Sequence, residues 1–285
     1  MEWALTKQLV ARRYLTPGAI RGHNFGLMNP WFLLFRPIVV FFYHLGGVGE
    51  LLWGTLLAFR EIKKVPRLLW DQLSYMAVGS LPIVLVTSAF VGMVAAVQTA
   101  YQIRDFVPMM YLGIGVAKAV MIELGPVLVA LVFAGRVGAG IAAELGTMRV
   151  TEQIDALELM AVDPYRYLAL PRLLGGLISV PLLTVMGEAI ALIGALIVAR
   201  YVLFVPVETF THGMRIYFVA KDLFGGLLKA VVFGLIVSLM GIYFGYNAKG
   251  GAVGVGRATT QAVVASSLLI LAADYVLGTI IFSSK

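Results

Sequence analysis

The stretch LLGGLISVPLLTVMGEAIALIGALIVARY, residues 173–201, decides what kind of protein this is. It passes with one acidic side chain, Glu188, before Arg200 closes the run. As a helix rising about 1.5 Å per residue it is roughly 43 Å long, more than the roughly 30 Å of hydrocarbon in a bilayer. Working outward, runs of the same kind occupy 78–101, 118–145, 224–246 and 261–282. Each is long enough to cross a membrane with some tilt.

The whole chain agrees. Of 285 residues, 60% are hydrophobic and 13% charged, whereas a soluble domain carries roughly a quarter charged residues. The mean hydropathy is +0.93. Disordered chains are polar and charge-rich, and barrel strands alternate without long apolar runs. The fold class predicted is an all-α integral membrane protein with about five transmembrane helices.

Residues 1–30 are polar and basic, with Lys7, Arg12, Arg13 and Arg21 and no apolar core ahead of a small-residue cleavage site. Residues 31–60 hold two shorter apolar pieces separated by Gly46, Gly47 and Gly49. Trp31 and Trp53 beside basic residues suit the membrane boundary, so this part reads as interfacial or re-entrant helices, with a true span as the alternative. The expected division is an N-terminal basic segment with interfacial helices over 1–70 and a transmembrane domain over 71–285. Lysine and arginine number nine in the loops before the first span, between the second and third, and between the fourth and fifth, against six on the other side. The positive-inside rule then puts the N-terminus in the cytoplasm and the C-terminus outside.

Enzyme chemistry finds little to work with. There are no cysteines, so disulfides, thiolate metal sites and a cysteine nucleophile are excluded. His23, His44 and His212 are too dispersed for a histidine-rich metal site. The net charge of +7 suits anionic headgroups rather than nucleic acid. No G-x-x-x-x-G-K-[ST], G-x-S-x-G or H-E-x-x-H pattern occurs, and the glycine-rich run 250–257 reads as a flexible cytoplasmic turn. No catalytic residue, metal ligand or cofactor is expected in this chain.

The scarce charges inside the apolar runs are the informative ones, because an ionisable group at membrane depth is costly. Glu123, Lys229 and Asp274 all fall within about 12 Å of the outer surface when counted along their spans. Two carboxylates and one ammonium at one level suggest a polar station near the outer mouth of a cavity, or an ion-pair lock between helices. Glu188 lies near the middle of the third span; its possible partners are Arg136 or a facing copy of the chain, and the alternative is a carboxyl kept protonated by burial. Arg136 and Glu144 are eight apart in the cytoplasmic half of the second span and share a face suited to the inner interface. Small residues four apart also mark helix faces: Ala130, Ala134, Gly138 and Ala142, and Gly187, Ala191, Ala195 and Ala199.

The segment at about 149–163 is too polar to span and reads as a short helix. Thr151 is its expected N-cap, Glu152 and Gln153 open it, and Glu152, Asp155 and Glu158 recur every three residues on one face. Ile154, Leu157 and Met160 or Ala161 supply an apolar side. Such a helix docks into a groove of a soluble partner; the alternative is an amphipathic linker on the headgroups.

Read in order, Glu123-Leu124-Gly125-Pro126, Ala134-Gly135-Arg136, Ala143-Glu144-Leu145-Gly146, Thr151-Glu152-Gln153 and Met160-Ala161-Val162-Asp163-Pro164 closely resemble the MlaE/YrbE-type permeases. Pro171-Arg172, Lys229-Ala230-Val231-Val232-Phe233 and Arg257-Ala258-Thr259-Thr260 extend the resemblance over about 70–282. It implies the permease subunit of an ABC transporter in a bacterial inner membrane, acting as a homodimer. A separate cytoplasmic ATPase, which holds the ATP and Mg, docks through the helix bearing Thr151, Glu152, Gln153, Asp155 and Glu158. An MCE-domain substrate-binding protein sits on the outer side, and the cargo is phospholipid or another hydrophobic molecule. Glu123, Lys229 and Asp274 match polar positions of the lipid cavity. Where phospholipid members often carry an arginine before the glutamate, this chain has Ile122, and Glu188 stands where the family is usually apolar. The rival readings are an ion-coupled secondary transporter, which the lack of an internal inverted repeat disfavours, and a non-transporting membrane anchor of a complex.

Overall fold

Each of the five apolar runs is the centre of a longer helix. The computed structural model describes residues 30–59, 66–103, 106–216 and 218–282, with side chains from residue 42. The elements are α1 (Pro30–Ala58), α2 (Pro66–Ile103), α3 (Met109–Val150), α4 (Gln153–Leu159), α5 (Tyr165–Tyr201), α6 (Val207–Ile216), α7 (Ala220–Tyr246) and α8 (Gly251–Phe282). Helices α2, α3, α5, α7 and α8 are long and apolar enough to cross a membrane. Among the described residues every regular element is helical. This is the expected all-α integral membrane architecture.

The helices outrun their apolar cores because their end turns are amphipathic. Pro66 opens α2, where a missing N–H costs nothing, and Pro171 follows directly on the π-helical turn that begins α5. Pro82 and Pro181 lie inside helices. The backbone also tightens and loosens locally: π-helical turns occupy Ser74–Val78, Val120–Leu124, Ala134–Gly138 and Tyr165–Ala169. Such turns are rare and gather at functional sites.

Two expectations about loops are corrected here. Residues 250–257 are not a flexible turn. Only Gly250 and Gly251 adopt positive φ, at 90° and 67°, and α8 begins at once. Gly254 is buried, and a Cβ there would fall 1.7 Å from the Lys249 carbonyl oxygen, so close backbone approach rather than mobility calls for that glycine. The glycines at 46, 47 and 49 do not divide the N-terminal apolar pieces either; both belong to α1. The basic residues of 1–29 and the run Arg60–Lys64 lie outside the described residues.

The chain forms two compact units, Met1–Gly46 and Gly47–Lys285, with the boundary inside α1. The described part of the first is helical. In the second, α5 lies between α2 and α7, and α7 in turn contacts α3 and α8. Backbones meet directly at these crossings. A Cβ on Gly92 would lie 1.8 Å from the Ala191 carbonyl oxygen, and one on Gly194 would lie 2.6 Å from that of Ala89. On the other side of α5, a Cβ on Gly234 would lie 2.4 Å from the Gly176 carbonyl oxygen. Both small-residue faces are therefore packing surfaces. Gly187 and Ala191 meet α2, while Gly138 meets Val237 of α7. Without a hydrophobic drive between helices in lipid, this close approach carries much of the association.

The main core centres on Phe133, Ile141, Val180, Leu183, Phe233 and Val237. A second cluster, with Ala96, Leu112, Val116, Ala195 and Phe210, joins α6 to α2, α3 and α5. Helix α8 buries only one strip, Gly254, Ala258, Ala262, Ser266 and Ile270, each four residues from the next.

Candidate functional site

Lys229 is the centre of the site. It sits on α7, its side chain is 0% exposed, and a lone ammonium there would be untenable without counter-charges. Two arrive. Nζ donates to Glu123 Oε1 on α3 at 2.9 Å and lies 2.8 Å from Asp274 Oδ1 on α8. It also donates to the Ile122 carbonyl at 3.2 Å. The contact with Asp274 is an ion pair off hydrogen-bond geometry, so that buried oxygen is charge-paired yet accepts no hydrogen bond. The Phe282 ring centroid lies 5.6 Å from Nζ and closes another side as a cation–π contact.

The backbone explains how Glu123 gets there. It belongs to the π-helical turn Val120–Leu124, and the Gly125 N–H reaches five residues back to the Val120 carbonyl. That extra residue per turn re-aims Glu123 toward α7. Glycines keep the neighbours close. A Cβ on Gly226 would fall 2.1 Å from the Met121 carbonyl oxygen, and one on Gly225 would fall 2.7 Å from the Phe282 ring. The three charges that were grouped by depth along separate spans thus meet in one cluster.

The other membrane-depth charges have other partners. Arg136, on the π-helical turn Ala134–Gly138, donates to Ser80 Oγ at 2.8 Å and to the Tyr75 carbonyl at 3.3 Å, with its guanidinium over the Tyr75 ring at 5.3 Å. Glu144 pairs instead with Arg172 at 2.6 Å, and Arg172 also donates to the Leu168 carbonyl. Arg136 and Glu144 thus engage different helices, α2 and α5.

Glu188 corrects the expectation most clearly. Arg136 is engaged by α2, and Glu188 is only 3% exposed, so burial within the chain closes it to a facing copy. Its Oε1 has no hydrogen-bond partner. Its side chain lies against Gly125, where a Cβ would come within 2.7 Å of Glu188 Cγ.

Sequence reasoning missed Lys118–Asp222, an ion pair of 3.4 Å near the start of α7. It also missed Arg172 as the partner of Glu144. Opposite charges at matching distances from the ends of two spans were the available signal for both.

The polar segment lies at the far end of α3, about 40 Å along the helix from Glu123. It is shorter than expected, because α3 runs on to Val150 and α4 covers only Gln153–Leu159. Thr151 does not cap α4. Its hydroxyl donates back to the Thr147 carbonyl at 2.9 Å, and the cap position falls to Glu152 in left-handed conformation, φ 61°. Asp155 receives a hydrogen bond from Arg149, which braces the turn. Ile154 faces the core, whereas Leu159 and Met160 are 89% and 65% exposed. The exposed apolar pair therefore includes Leu159, which spacing had not singled out. The far side is tethered by Tyr246, whose hydroxyl donates to the Pro164 carbonyl at 3.1 Å. Partial burial pushes the Glu158 carboxyl above its usual range, and Asp155 and Asp163 push it the same way against Arg149.

Comparison with known proteins agrees with this geometry. The family model described as "Permease MlaE" matches residues 69–280. A probable ABC transporter permease protein of Rickettsia prowazekii is 41% identical over 239 residues, covering 83% of this chain and 92% of the relative. The intermembrane phospholipid transport system permease protein MlaE of Haemophilus influenzae is 37% identical over 250 residues, covering 87% and 96%. A probable ABC transporter permease protein of Synechocystis is 36% identical over 212 residues, covering 74% and 81%. A match that runs through all five spans, the charge cluster and the polar segment between the second and third leaves one assignment: the chain belongs to the MlaE permease family.

Proposed function

We propose that the chain is the membrane subunit of an ATP-driven transporter that moves phospholipid or a related hydrophobic molecule between the two membranes of a bacterial envelope. It works as a homodimer in the inner membrane, with its N-terminus cytoplasmic and its C-terminus periplasmic. A cytoplasmic ATPase supplies ATP and Mg and docks on α4, with its exposed Leu159 and the adjoining Met160. An MCE-domain protein receives or delivers cargo on the other side. The Haemophilus influenzae relative, named for intermembrane phospholipid transport, supports the cargo class.

One observation carries the reading. A charged cluster built on three helices, α3, α7 and α8, stands in the first third of α3, and a short polar helix with exposed apolar residues follows its far end. A push on α4 reaches the cluster through α3, a continuous helical path, apart from its π-helical turns. Those turns are where such a helix bends most readily.

The test is ATP-dependent transfer of labelled phospholipid by the chain reconstituted with its copurifying ATPase. Replacing the cluster with Glu123→Gln, Lys229→Met and Asp274→Asn together is expected to abolish transfer while the complex still assembles. Full transfer by an assembled triple variant sinks the assignment of the cluster, and a chain that copurifies no ATPase sinks the transporter reading.

A further inference from the structure

We propose that the cluster selects its lipid by a cationic amine in the headgroup, so that amine-bearing zwitterionic phospholipid is taken in preference to phosphatidylglycerol. The inference rests on the transporter reading above and concerns the same site.

The charge count comes first. Counted by formal charge, Glu123 and Asp274 bring two negatives against the one positive of Lys229, an excess of one negative charge. Among the described residues the excess is not cancelled nearby. Lys118, five residues before Glu123, is already paired with Asp222. Helix α8 has no charged residue between Arg257 and Phe282 other than Asp274. Lys221 lies eight residues before Lys229, about 12 Å along α7.

Accessibility then decides which sign a ligand meets. The ammonium is wholly enclosed: it faces the Ile122 carbonyl, Glu123, Asp274 and the Phe282 ring. No face of it is left for a phosphate. Glu123 is 49% exposed and Asp274 19%, so an arriving headgroup meets carboxylate. Glu123 commits only Oε1 to Lys229, whereas Asp274 Oδ1 is buried against the same ammonium and out of a ligand's reach, so the exposed part of Glu123 is what a headgroup meets. Lone pairs therefore remain for a donor, and an alkylammonium is the headgroup group that offers N–H donors and positive charge together.

Gly278 leaves the way in. A Cβ there would stand 3.4 Å from Lys229 Nζ and 3.7 Å from Glu123 Oε1, so any larger side chain would lie over the pair. With glycine the carboxylate edge is open. Lys229 thus holds the two acids together without neutralising both of them.

The test uses the full chain, exchanged against vesicles of equimolar phosphatidylethanolamine and phosphatidylglycerol with matched acyl chains, and then separated. Retained lipid is quantified by mass spectrometry. Phosphatidylethanolamine is expected in about tenfold excess over phosphatidylglycerol, the ratio one charge-assisted hydrogen bond supplies. Glu123→Gln is expected to bring the ratio close to one while the total lipid retained changes little. Free ethanolamine at millimolar concentration is expected to leave the retained lipid in place. Equal retention of the two lipids by the unaltered chain, an excess of phosphatidylglycerol, or a ratio unmoved by Glu123→Gln overturns the selectivity alone. Displacement by free ethanolamine overturns recognition of a lipid-borne amine in favour of a soluble one. Retention of neither lipid overturns the lipid-carrying reading and the selectivity with it.

Discussion

Replacing Lys229 with methionine is the most informative single change, because its cost can be reasoned from the cluster geometry. Methionine nearly matches the lysine stem, so packing against α3 and α8 is retained and the ammonium alone is lost. Two carboxylates then face each other with no cation between them, and the Ile122 carbonyl loses its side-chain donor. Deleting one partner of a buried ion pair costs about 3–5 kcal/mol. Glu123 is half exposed, and exposed pairs contribute about 0–1 kcal/mol, so most of the loss arises at Asp274. For a chain of this size 1 kcal/mol moves Tm by about 2–4 °C, which puts the expected drop at about 6–20 °C. Adding Glu123→Gln and Asp274→Asn removes the stranded charges, and replacing a whole buried ion group with neutral side chains is often neutral or stabilising. The triple variant is therefore expected to melt above Lys229→Met alone. The assay is thermal unfolding in lipid nanodiscs, followed by tryptophan fluorescence and by size-exclusion profile. A Lys229→Met protein that melts no lower than the triple variant would falsify the reasoning, since the ammonium would then not be compensating buried charge.

Gly92→Ala is expected to destabilise by about 1–3 kcal/mol or more, because the new Cβ would fall 1.8 Å from a backbone oxygen of α5 that has no rotamer to yield. Gly256→Ala, where nothing lies within 4 Å, is expected to be neutral or stabilising by up to about 1 kcal/mol; melting of the two variants side by side checks the close-approach account. Glu158→Gln tests the α4 electrostatics. The Glu158 carboxyl holds its proton more tightly in the folded chain, so its ionisation works against the fold as pH rises from the ordinary carboxyl range through the raised value. The Gln variant is accordingly expected to melt higher than the parent at neutral pH and equally at pH 4, and a gap that persists in acid refutes the assignment. Reversing Glu152, Asp155 and Glu158 together to lysine is expected to release the ATPase, measured as copurification, and an unchanged yield of complex counts against docking at α4.

How much was legible depended on whether the signal was local. Five spans follow from apolar run length, since a bilayer imposes a minimum length on any helix that crosses it. Their ends did not follow, because the amphipathic end turns Pro66–Leu73 and the glycine-rich first turns of α8 match no span-length rule. The cluster was legible because depth is itself a local quantity: residues counted from a span end place Glu123, Lys229 and Asp274 at one level. The partners of Arg136, Glu144 and Glu188 were not, because azimuth around a helix shifts at each π-helical turn. Arg136 sits on one such turn and Glu188 packs against the glycine that ends another.

The sequence by itself determined the solvent, five of the apolar spans, the family and the level at which charge enters the membrane. Each of these depends on composition along one helix, which the chain order preserves. Only the tertiary structure decided which charge of the cluster is left exposed. Lys229, the residue that looks like a cationic anchor in the sequence, is the one wholly covered, while Glu123 keeps half its surface. The reason is geometric: Gly225, Gly226 and Gly278 let three helices close around the ammonium, while Glu123, brought to it by the π-helical turn at Val120–Leu124, stays half exposed. The sign of a site is set by which atoms the packing leaves uncovered.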